Sequence, residues 1–305
     1  MESLRKNHDR AGISQYKCII CGEYESTQEY TYHYDDNQSG ILRCSNCGHL
    51  FIKPVPLVSL NDRTMVSIDD AEFGGSHFLK KLQKIFVIEK EIKKVKKCLS
   101  ADQPALLDLG CGTGWTTAIW RDHGFRVTGL EPSESRRKIA QERHRLEVSD
   151  KHIENFTADQ RFDVVVMRHL LEHIEDPNKV LAQIKSFLKP DGILLIIIPN
   201  INCIGRYIFK ENWEWILPWH LHFYTPKTLE KLLVKSGYRK IEIYQMPSPL
   251  WYPRTLNKAL FGANAKFKFP ESVALILCLP IVFLGFIFNL NDNMTLIFRN
   301  KSPRQ

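Results

Sequence analysis

The middle of the chain alternates between short apolar runs and longer stretches with helical spacing. The apolar runs fall at 105–109, 125–130, 163–167, 193–198, 239–244 and 294–299. Strands that alternate with helices are typical of a parallel sheet covered by helices on both faces. The pattern predicts a doubly wound α/β fold. The run 193–198 is apolar on both faces, which predicts a fully buried central strand.

Two other segments stand out by their periodicity. Residues 78–99 carry apolar positions at helical spacing between lysines, which predicts a basic amphipathic helix. Its lysines could face a membrane or an anion, or lie in solvent while the helix packs beside the sheet. Residues 272–288 form an uncharged apolar run, interrupted by Pro280 and Gly285. A helical hairpin or an interfacial helix fits this run better than a membrane span, and a buried helix pair or an oligomer contact is the alternative.

The composition limits the class of protein but does not identify its partner. A length of 305 residues with 44% hydrophobic residues allows one α/β domain and a smaller module. A net charge of +8 favours anionic partners. The first twenty residues lack the apolar core of a secretory signal, so we expect a cytoplasmic protein. The charge-rich stretches 35–39 and 61–70 are predicted to be linkers.

Half of the eight cysteines form two C-x-x-C pairs near the start of the chain: Cys18, Cys21, Cys44 and Cys47. This spacing is typical of a zinc ribbon, and two disulfides or buried free thiols are the alternatives. Four thiolates around zinc leave no position open for water, so the metal is expected to be structural. The other cysteines are expected to be structural: Cys98, Cys111, Cys203 and Cys278.

A glycine-rich turn follows the first of the apolar runs. Its glycines alternate with other residues: Gly110, Gly112 and Gly114. Such a turn lets the backbone approach a ligand, and the helix after it offers free N–H groups. Glu131 ends the next run, roughly 20 residues on, at the spacing of a carboxylate that binds a ribose. A dinucleotide motif would need glycine at Trp115, and Asp108 would repel a pyrophosphate but could receive an ammonium group. The loop therefore indicates S-adenosylmethionine.

Five landmarks follow one another in the order of a known family: DLGCGTG at 108–114, Glu131, FDVVV at 162–166, LEH at 171–173 and LKPDG at 188–192. Over roughly residues 100–245 the chain resembles class I S-adenosylmethionine-dependent methyltransferases. The resemblance implies a Rossmann-like sheet of seven strands. It also implies that the glycines face the methionine part of the cofactor, that Glu131 holds the ribose hydroxyls, and that Asp150 lies near the adenine. The expected cofactor-binding residues are Asp108, Gly110, Cys111, Gly112, Gly114, Glu131, Asp150, Arg168 and His169.

Methyl transfer to a hydroxyl or an activated carbon needs a base, and histidine is the natural candidate. His173 follows the fourth predicted strand, where the resemblance puts residues near the reacting methyl, although it could instead cap or pack a helix. His220 lies in the aromatic-rich segment 213–224, which we interpret as an acceptor pocket. A purely structural aromatic cluster is the alternative. We predict His173 and His220 to be catalytic.

The predicted function is methyl transfer to a hydroxyl or carbon of a small or lipid-linked acceptor, such as a sugar or a quinone precursor. The two C-x-x-C pairs before the cofactor domain resemble a subgroup found among sugar-modifying and small-molecule biosynthetic enzymes. A nucleic-acid methyltransferase is the alternative, but MRHL at 167–170 replaces the N-P-P-aromatic signature of base amino methylation. A non-enzymatic membrane-associated scaffold is a third hypothesis. Peripheral contact with the inner face of the membrane is expected if the run 272–288 is interfacial.

The chain is predicted to divide into five parts. Residues 1–60 form a zinc-ribbon-like module, 61–100 a linker with the basic helix, and 101–246 the cofactor-binding domain. Residues 247–290 form a hydrophobic helical insertion, and 291–305 the final strand and tail.

Overall fold

The computed structural model of the chain describes residues 3–6, 12–13, 15–34, 37–56, 84–248, 251–262 and 271–301. The strands are β1 (Ser3–Lys6), β2 (Gly12–Ile13), β3 (Ser26–Tyr34), β4 (Asn37–Cys44), β5 (Leu50–Lys53), β6 (Ala105–Leu109), β7 (Arg126–Leu130), β8 (Val148–Ser149), β9 (Phe162–Arg168), β10 (Leu188–Pro199), β11 (His222–Phe223), β12 (Tyr238–Met246) and β13 (Asn293–Asn300). The helices are α1 (Glu89–Lys96), α2 (Trp115–Asp122), α3 (Glu134–His144), α4 (Pro177–Phe187), α5 (Ile204–Phe209), α6 (Pro226–Lys235), α7 (Tyr252–Phe261) and α8 (Glu271–Ile287).

Seven strands form the larger sheet in the order β12-β13-β10-β9-β6-β7-β8. Neighbouring strands from β8 to β10 run parallel, and β13 is antiparallel to both β10 and β12. The chain leaves β6 towards β7 on one side and returns to β9 on the other, so a crevice opens beyond the carboxyl ends of β6 and β9. The predicted doubly wound α/β fold is confirmed.

The predicted strands lie where the apolar runs are, with small changes at their ends. The largest change is in β10, which begins at Leu188 and includes the motif LKPDG. Residues 193–198 of this strand are at most 4% exposed, as expected for a central strand covered on both faces.

The smaller sheet has the order β1-β3-β4-β5-β11, with β2 paired to β3. The linker predicted at 35–39 is wrong for residues 37–39, which belong to β4. An antiparallel sheet can expose one face to water and so accepts polar residues such as the exposed Gln38. The predicted linker 61–70 lies outside the described residues.

The lysine-rich helix packs beside the larger sheet. Its described part is a π-helical turn, Lys84–Ile88, followed by α1. Ile88, Ile92 and Val95 are buried against the sheet, whereas Lys90, Lys93 and Lys96 are exposed. Residues 78–83 of the predicted helix lie outside the described part of the chain.

The apolar run near the end of the chain forms one helix, α8, which continues through Pro280. The hairpin interpretation is therefore wrong, because the proline does not interrupt this helix. Among the described residues, no helix combines the length and the apolarity needed to cross a bilayer.

Candidate active site

The glycine-rich turn joins β6 to α2 through three left-handed residues. Gly110, Gly112 and Gly114 have φ angles of +72°, +58° and +79°. A Cβ atom on Gly114 would lie 2.6 Å from Leu146 Cδ1 and 2.8 Å from Ala140 Cβ. The turn therefore packs closely against Leu146 and Ala140 at Gly114. The next residue, Trp115, begins α2.

Two buried carboxylates lie beside this turn. Asp108 is 3% exposed, and its Oδ2 accepts a hydrogen bond of 2.5 Å from Thr117 Oγ1. Glu131 is 5% exposed. Its Oε2 accepts from the Gly112 N–H at 3.0 Å, and its Oε1 accepts from the Ser133 N–H at 2.9 Å. Both carboxylates therefore lie at the carboxyl edge of the sheet, and Glu131 is fastened to the turn itself.

The remaining predicted cofactor residues lie at the same edge. Cys111 is buried, and a Cβ atom on Gly129 would lie 2.7 Å from its sulfur. Asp150 follows β8 and is exposed. Arg168 ends β9, and its guanidinium pairs with the carboxylate of Glu91 on α1.

Glu91 was not predicted from the sequence. Its side chain is 1% exposed, and burial raises its pKa, while the Arg168 guanidinium acts in the opposite direction. One sequence signal could have identified Glu91. It lies on the apolar face of a lysine-rich helix, the face that also carries Ile88, Ile92 and Val95. The ion pair fixes α1 to the end of β9.

His169 has a left-handed backbone with φ of +49° and lies flat against Trp215. The ring centroids are 5.2 Å apart and the planes differ by 2°. Its Nδ1 is 3.5 Å from Oε1 of Glu172. The residue after β9 is thus held between an aromatic face and a buried carboxylate.

Glu172, His173 and His220 form a compact buried cluster. One ligand atom from each residue lies within 4.8 Å of the other two. His173 Nδ1 is 2.9 Å from the Trp219 carbonyl oxygen, and His220 Nδ1 is 2.9 Å from that of Trp215. Because a carbonyl only accepts, each Nδ1 carries a proton, and in the neutral tautomer Nε2 is then the acceptor.

The environment of the cluster controls its charge. Burial alone would raise the pKa of Glu172, but the three surrounding histidines hold it below its ordinary value. Burial, with a further contribution from His173, lowers the pKa of His220 to about 3. The cluster therefore combines an ionised carboxylate with a neutral imidazole. Sequence reasoning used Glu172 as a family landmark and missed it as a site residue.

A narrow pocket adjoins Glu172 and His220 of this cluster. Its lining residues are Glu172, Pro199, Ile201, Trp215, His220, His222 and Phe223. Of the aromatic segment, Trp215 and Phe223 line the cavity, whereas Trp213 packs against Phe209 and Tyr252 in the core.

The N-terminal sheet reaches this cavity through β11. β11 pairs with β5, and His222 lies opposite Phe51 in this pair. The Leu221 N–H donates to the Glu172 carbonyl oxygen at 2.8 Å. His49 Nε2 is 3.2 Å from His222 Nδ1, and both side chains are buried. No sequence motif marks His49, so only the fold reveals that the N-terminal module supports the cavity.

The two C-x-x-C pairs converge into one cluster. The sulfurs of Cys18 and Cys47 are 3.6 Å apart, those of Cys21 and Cys44 are 3.5 Å apart, and all four lie within 4.8 Å of one another. A zinc ion with Zn–S bonds of about 2.3 Å requires sulfurs about 3.8 Å apart, so the donor set fits zinc. The eight cysteines of the chain are free thiols in the structure, which disfavours the disulfide alternative.

The strand order and the loops at the carboxyl edge are those of Rossmann-like, S-adenosylmethionine-dependent methyltransferases. Residues 81–243 match the family described as "Methyltransferase domain", more than half of the chain, and the chain belongs to this family.

Named relatives agree with this family. The ubiquinone biosynthesis O-methyltransferase of Coxiella burnetii (strain Dugway 5J108-111) is 29% identical over 170 residues, which cover 50% of this chain and 70% of that protein. The protein of the same name from Actinobacillus pleuropneumoniae serotype 5b is 36% identical over 123 residues, or 37% of this chain and 53% of that protein.

Solved structures share the fold. The plantazolicin methyltransferase BpumL, in complex with SAH, superimposes with a TM-score of 0.53 at 16% identity and covers 80% of this chain and 91% of its own. A Galdieria sulphuraria structure described as a sarcosine dimethylglycine methyltransferase gives 0.51 at 18% identity, with 72% of this chain and 86% of its own covered. The chain is thus an S-adenosylmethionine-dependent methyltransferase.

Proposed function

We propose that the chain methylates a hydroxyl oxygen of a small, quinone-like acceptor, either free or carried on a lipid. The observation that carries this proposal is the cluster of Glu172, His173 and His220 just after β9, beside a pocket that Trp215 and Phe223 also line. The relatives named as ubiquinone biosynthesis O-methyltransferases support an oxygen as the methylated atom and a quinone-like ring as the acceptor.

The cofactor is proposed to lie across the carboxyl ends of β6 and β7. Gly110, Gly112 and Gly114 let its methionine part approach the backbone, with Asp108 near the ammonium group and Cys111 packed beneath the turn. Glu131 is proposed to bind the ribose hydroxyls, because a carboxylate offers two acceptor oxygens to a cis diol. Asp150 is proposed at the adenine, and Arg168 and His169 at the loop below the sulfonium.

The reaction breaks the bond between methyl carbon and sulfur and forms one between that carbon and the acceptor oxygen, while the hydroxyl proton leaves. Most of the acceleration comes from aligning oxygen, methyl and sulfur in a site that excludes water. The cluster of Glu172, His173 and His220 is proposed as the point where the hydroxyl is bound and loses its proton. Trp215 and Phe223 provide flat apolar walls for a ring.

Turnover and cofactor affinity can test this proposal separately. His220→Ala and Glu172→Gln are expected to lower methyl transfer from labelled S-adenosylmethionine to hydroxylated quinone and phenol acceptors at least a hundredfold. Calorimetry should find the affinity for S-adenosylhomocysteine unchanged within about threefold. His152→Ala, an exposed histidine, is the matched control. Unchanged turnover in both cluster variants would remove the cluster from the reaction.

We also propose that Cys18, Cys21, Cys44 and Cys47 hold one structural zinc ion. The ion would join the turn before β3 to the turn after β4 and so stabilise the N-terminal module. Elemental analysis of the purified protein should find about one zinc ion per chain, bound by these four cysteines. A folded protein purified without chelators and free of metal would contradict this proposal.

A further inference from the structure

The cluster of Glu172, His173 and His220 has more acceptor atoms than the protein satisfies. Neither carboxylate oxygen of Glu172 has a hydrogen-bond partner among the described residues, although His169 Nδ1 lies 3.5 Å from Oε1. His220 Nε2 is also buried without a partner there. Leaving buried polar atoms unpaired is unfavourable, because each has lost its hydrogen bonds to water. Such a group of lone pairs calls for a positively charged or proton-donating ligand.

The two imidazoles are oriented as metal ligands are. In each ring Nδ1 donates to a backbone carbonyl at 2.9 Å, which fixes the ring and leaves the lone pair of Nε2 for a ligand. The carbonyls belong to Trp219 and Trp215, so the aromatic segment that walls the cavity also sets both rings. Glu172 and His220 are 1% and 2% exposed. Bulk water is therefore excluded from two of the three side chains that could bind a metal ion.

We propose that Glu172, His173 and His220 bind one divalent transition-metal ion, in addition to the four-cysteine site. Two imidazole nitrogens and one carboxylate form a donor set that suits zinc, iron or manganese and leaves coordination positions open. Magnesium is disfavoured, since it prefers oxygen ligands in an octahedral arrangement. The three ligand atoms lie within 4.8 Å of one another, close to the separation of at most about 4.4 Å that bonds of about 2.0 to 2.2 Å to one ion allow.

The proposed ion also indicates which acceptors would fit the site. This step rests on the proposed function. Open positions on the cavity side suit a ring with two neighbouring oxygens, such as a catechol or a hydroxyquinone. A hydroxyl bound to such an ion would release its proton to solvent more readily, because the ion would stabilise the oxyanion. That oxyanion then takes the methyl group, and the sulfonium becomes a neutral thioether. The net change releases one proton for each methyl transferred, and the ion keeps its charge.

Manganese(II) is the probe that separates this site from the cysteines, because it prefers oxygen and nitrogen ligands to thiolates. The full-length protein is first analysed for bound metals as purified, then titrated with Mn²⁺ and followed by electron paramagnetic resonance. The metal already bound after purification and the Mn²⁺ bound during the titration are counted together. They should amount to one ion per chain, in addition to the zinc bound by the four cysteines. Glu172→Gln and His220→Gln should weaken this second site at least tenfold while the zinc content stays constant.

Matched controls make the result specific. Glu154→Gln and His152→Ala change an exposed carboxylate and an exposed imidazole and should bind Mn²⁺ as the unmodified chain does. The inference is overturned if the unmodified chain, with its zinc intact, holds no ion in a second site. It is equally overturned if Glu172→Gln binds as tightly as the unmodified chain. Calorimetry with S-adenosylhomocysteine on the same samples tests the proposed function separately, since cofactor binding does not require the ion.

Discussion

Two buried carboxyl groups near His169 have pKa values that their surroundings move in opposite directions. Glu172 lies among histidines and its pKa is lowered. Asp292 is also buried, and burial raises its pKa to about 7, although its Oδ1 accepts from the Ser248 N–H at 2.8 Å. The pKa of a buried carboxyl group is thus lowered or raised according to its neighbours.

The raised pKa of Asp292 predicts a pH-dependent stability. Its ordinary value is 3.8, so between about pH 4 and pH 7 the folded protein holds a proton that the unfolded chain has released. The contribution of this group to stability therefore falls as pH rises through that range. Asp292→Asn should stabilise the protein at pH 8 by as much as about 4 kcal/mol, and much less at pH 4.5.

Urea unfolding of both proteins at the two pH values measures this difference. Asparagine keeps an oxygen that can accept from Ser248 and removes the ionisation. An equal change in stability at pH 4.5 and pH 8 would show that the carboxyl group does not titrate as proposed.

The glycine-rich turn gives a second prediction for a single residue. Gly114→Ala adds a methyl group 2.6 Å from Leu146 and 2.8 Å from Ala140 at a φ of +79°. Overpacking costs about 1 to 3 kcal/mol, to which the left-handed backbone adds roughly 1 to 2 kcal/mol. We expect lower stability and at least tenfold weaker binding of S-adenosylhomocysteine by calorimetry.

Gly124→Ala is the matched control for this variant. Gly124 has a φ of +90°, but nothing lies within 4 Å of the added methyl group. It should show the backbone cost alone and leave cofactor affinity unchanged. If the two variants are equally stable and bind the cofactor equally, the close approach at Gly114 has no energetic role.

At the scale of elements, the sequence predicts most of what local patterns determine. The strands of the larger sheet follow from apolar runs, and the turn after β6 follows from its glycines. The link between the N-terminal module and the cavity could not be predicted, because β11 has two residues and pairs with a strand far away in sequence. The place of Glu172 between His173 and His220 was equally hidden, since a sequence does not reveal which distant side chains meet around a buried carboxylate.

This link predicts that metal at the cysteines affects the cavity. Cys44 ends β4, β4 pairs with β5, and β5 pairs with β11 beside His220. Removing the proposed zinc with a chelator, or replacing Cys47 by Ser, should loosen these strands together. Amide hydrogen exchange should then rise at 217–224 as well as at 37–53, while β6 and α2 keep their protection. Faster exchange confined to 15–53 would show that the cavity does not depend on the module.

At the scale of the whole molecule, one surface is unusually apolar. The exposed apolar side chains of α8 and the residue after it are Val273, Ile276, Leu277, Leu279, Phe283, Leu284, Phe286, Ile287 and Phe288. Leu260 and Phe261 on α7 and Tyr207 and Ile208 on α5 are also exposed. Helix α5 touches α8 near Gly285, where an added Cβ would lie 3.0 Å from Ile204. A soluble surface rarely carries so many large apolar groups without a partner or a membrane.

We propose that this apolar face rests on a lipid surface and receives a lipid-linked acceptor there. The segment before α5 includes Ile201, which lines the cavity, so α5 connects the apolar face to the proposed site. The net charge of +8 adds attraction to anionic lipids. Apolar contacts resist salt, whereas electrostatic attraction is screened, so part of the binding should survive high salt.

Sedimentation with anionic phospholipid vesicles tests this proposal. The unmodified chain should pellet with the vesicles and remain partly bound in 1 M salt, on the order of the concentration at which screening is nearly complete. Replacing both Phe283 and Phe286 by Glu should lower the bound fraction at least tenfold, because two charges would enter the apolar layer. Val234→Glu changes an exposed apolar residue on α6 and should bind as the unmodified chain does. If the unmodified chain stays in the supernatant at low salt, the apolar face must instead be covered by protein, and the acceptor must reach the cavity from solution.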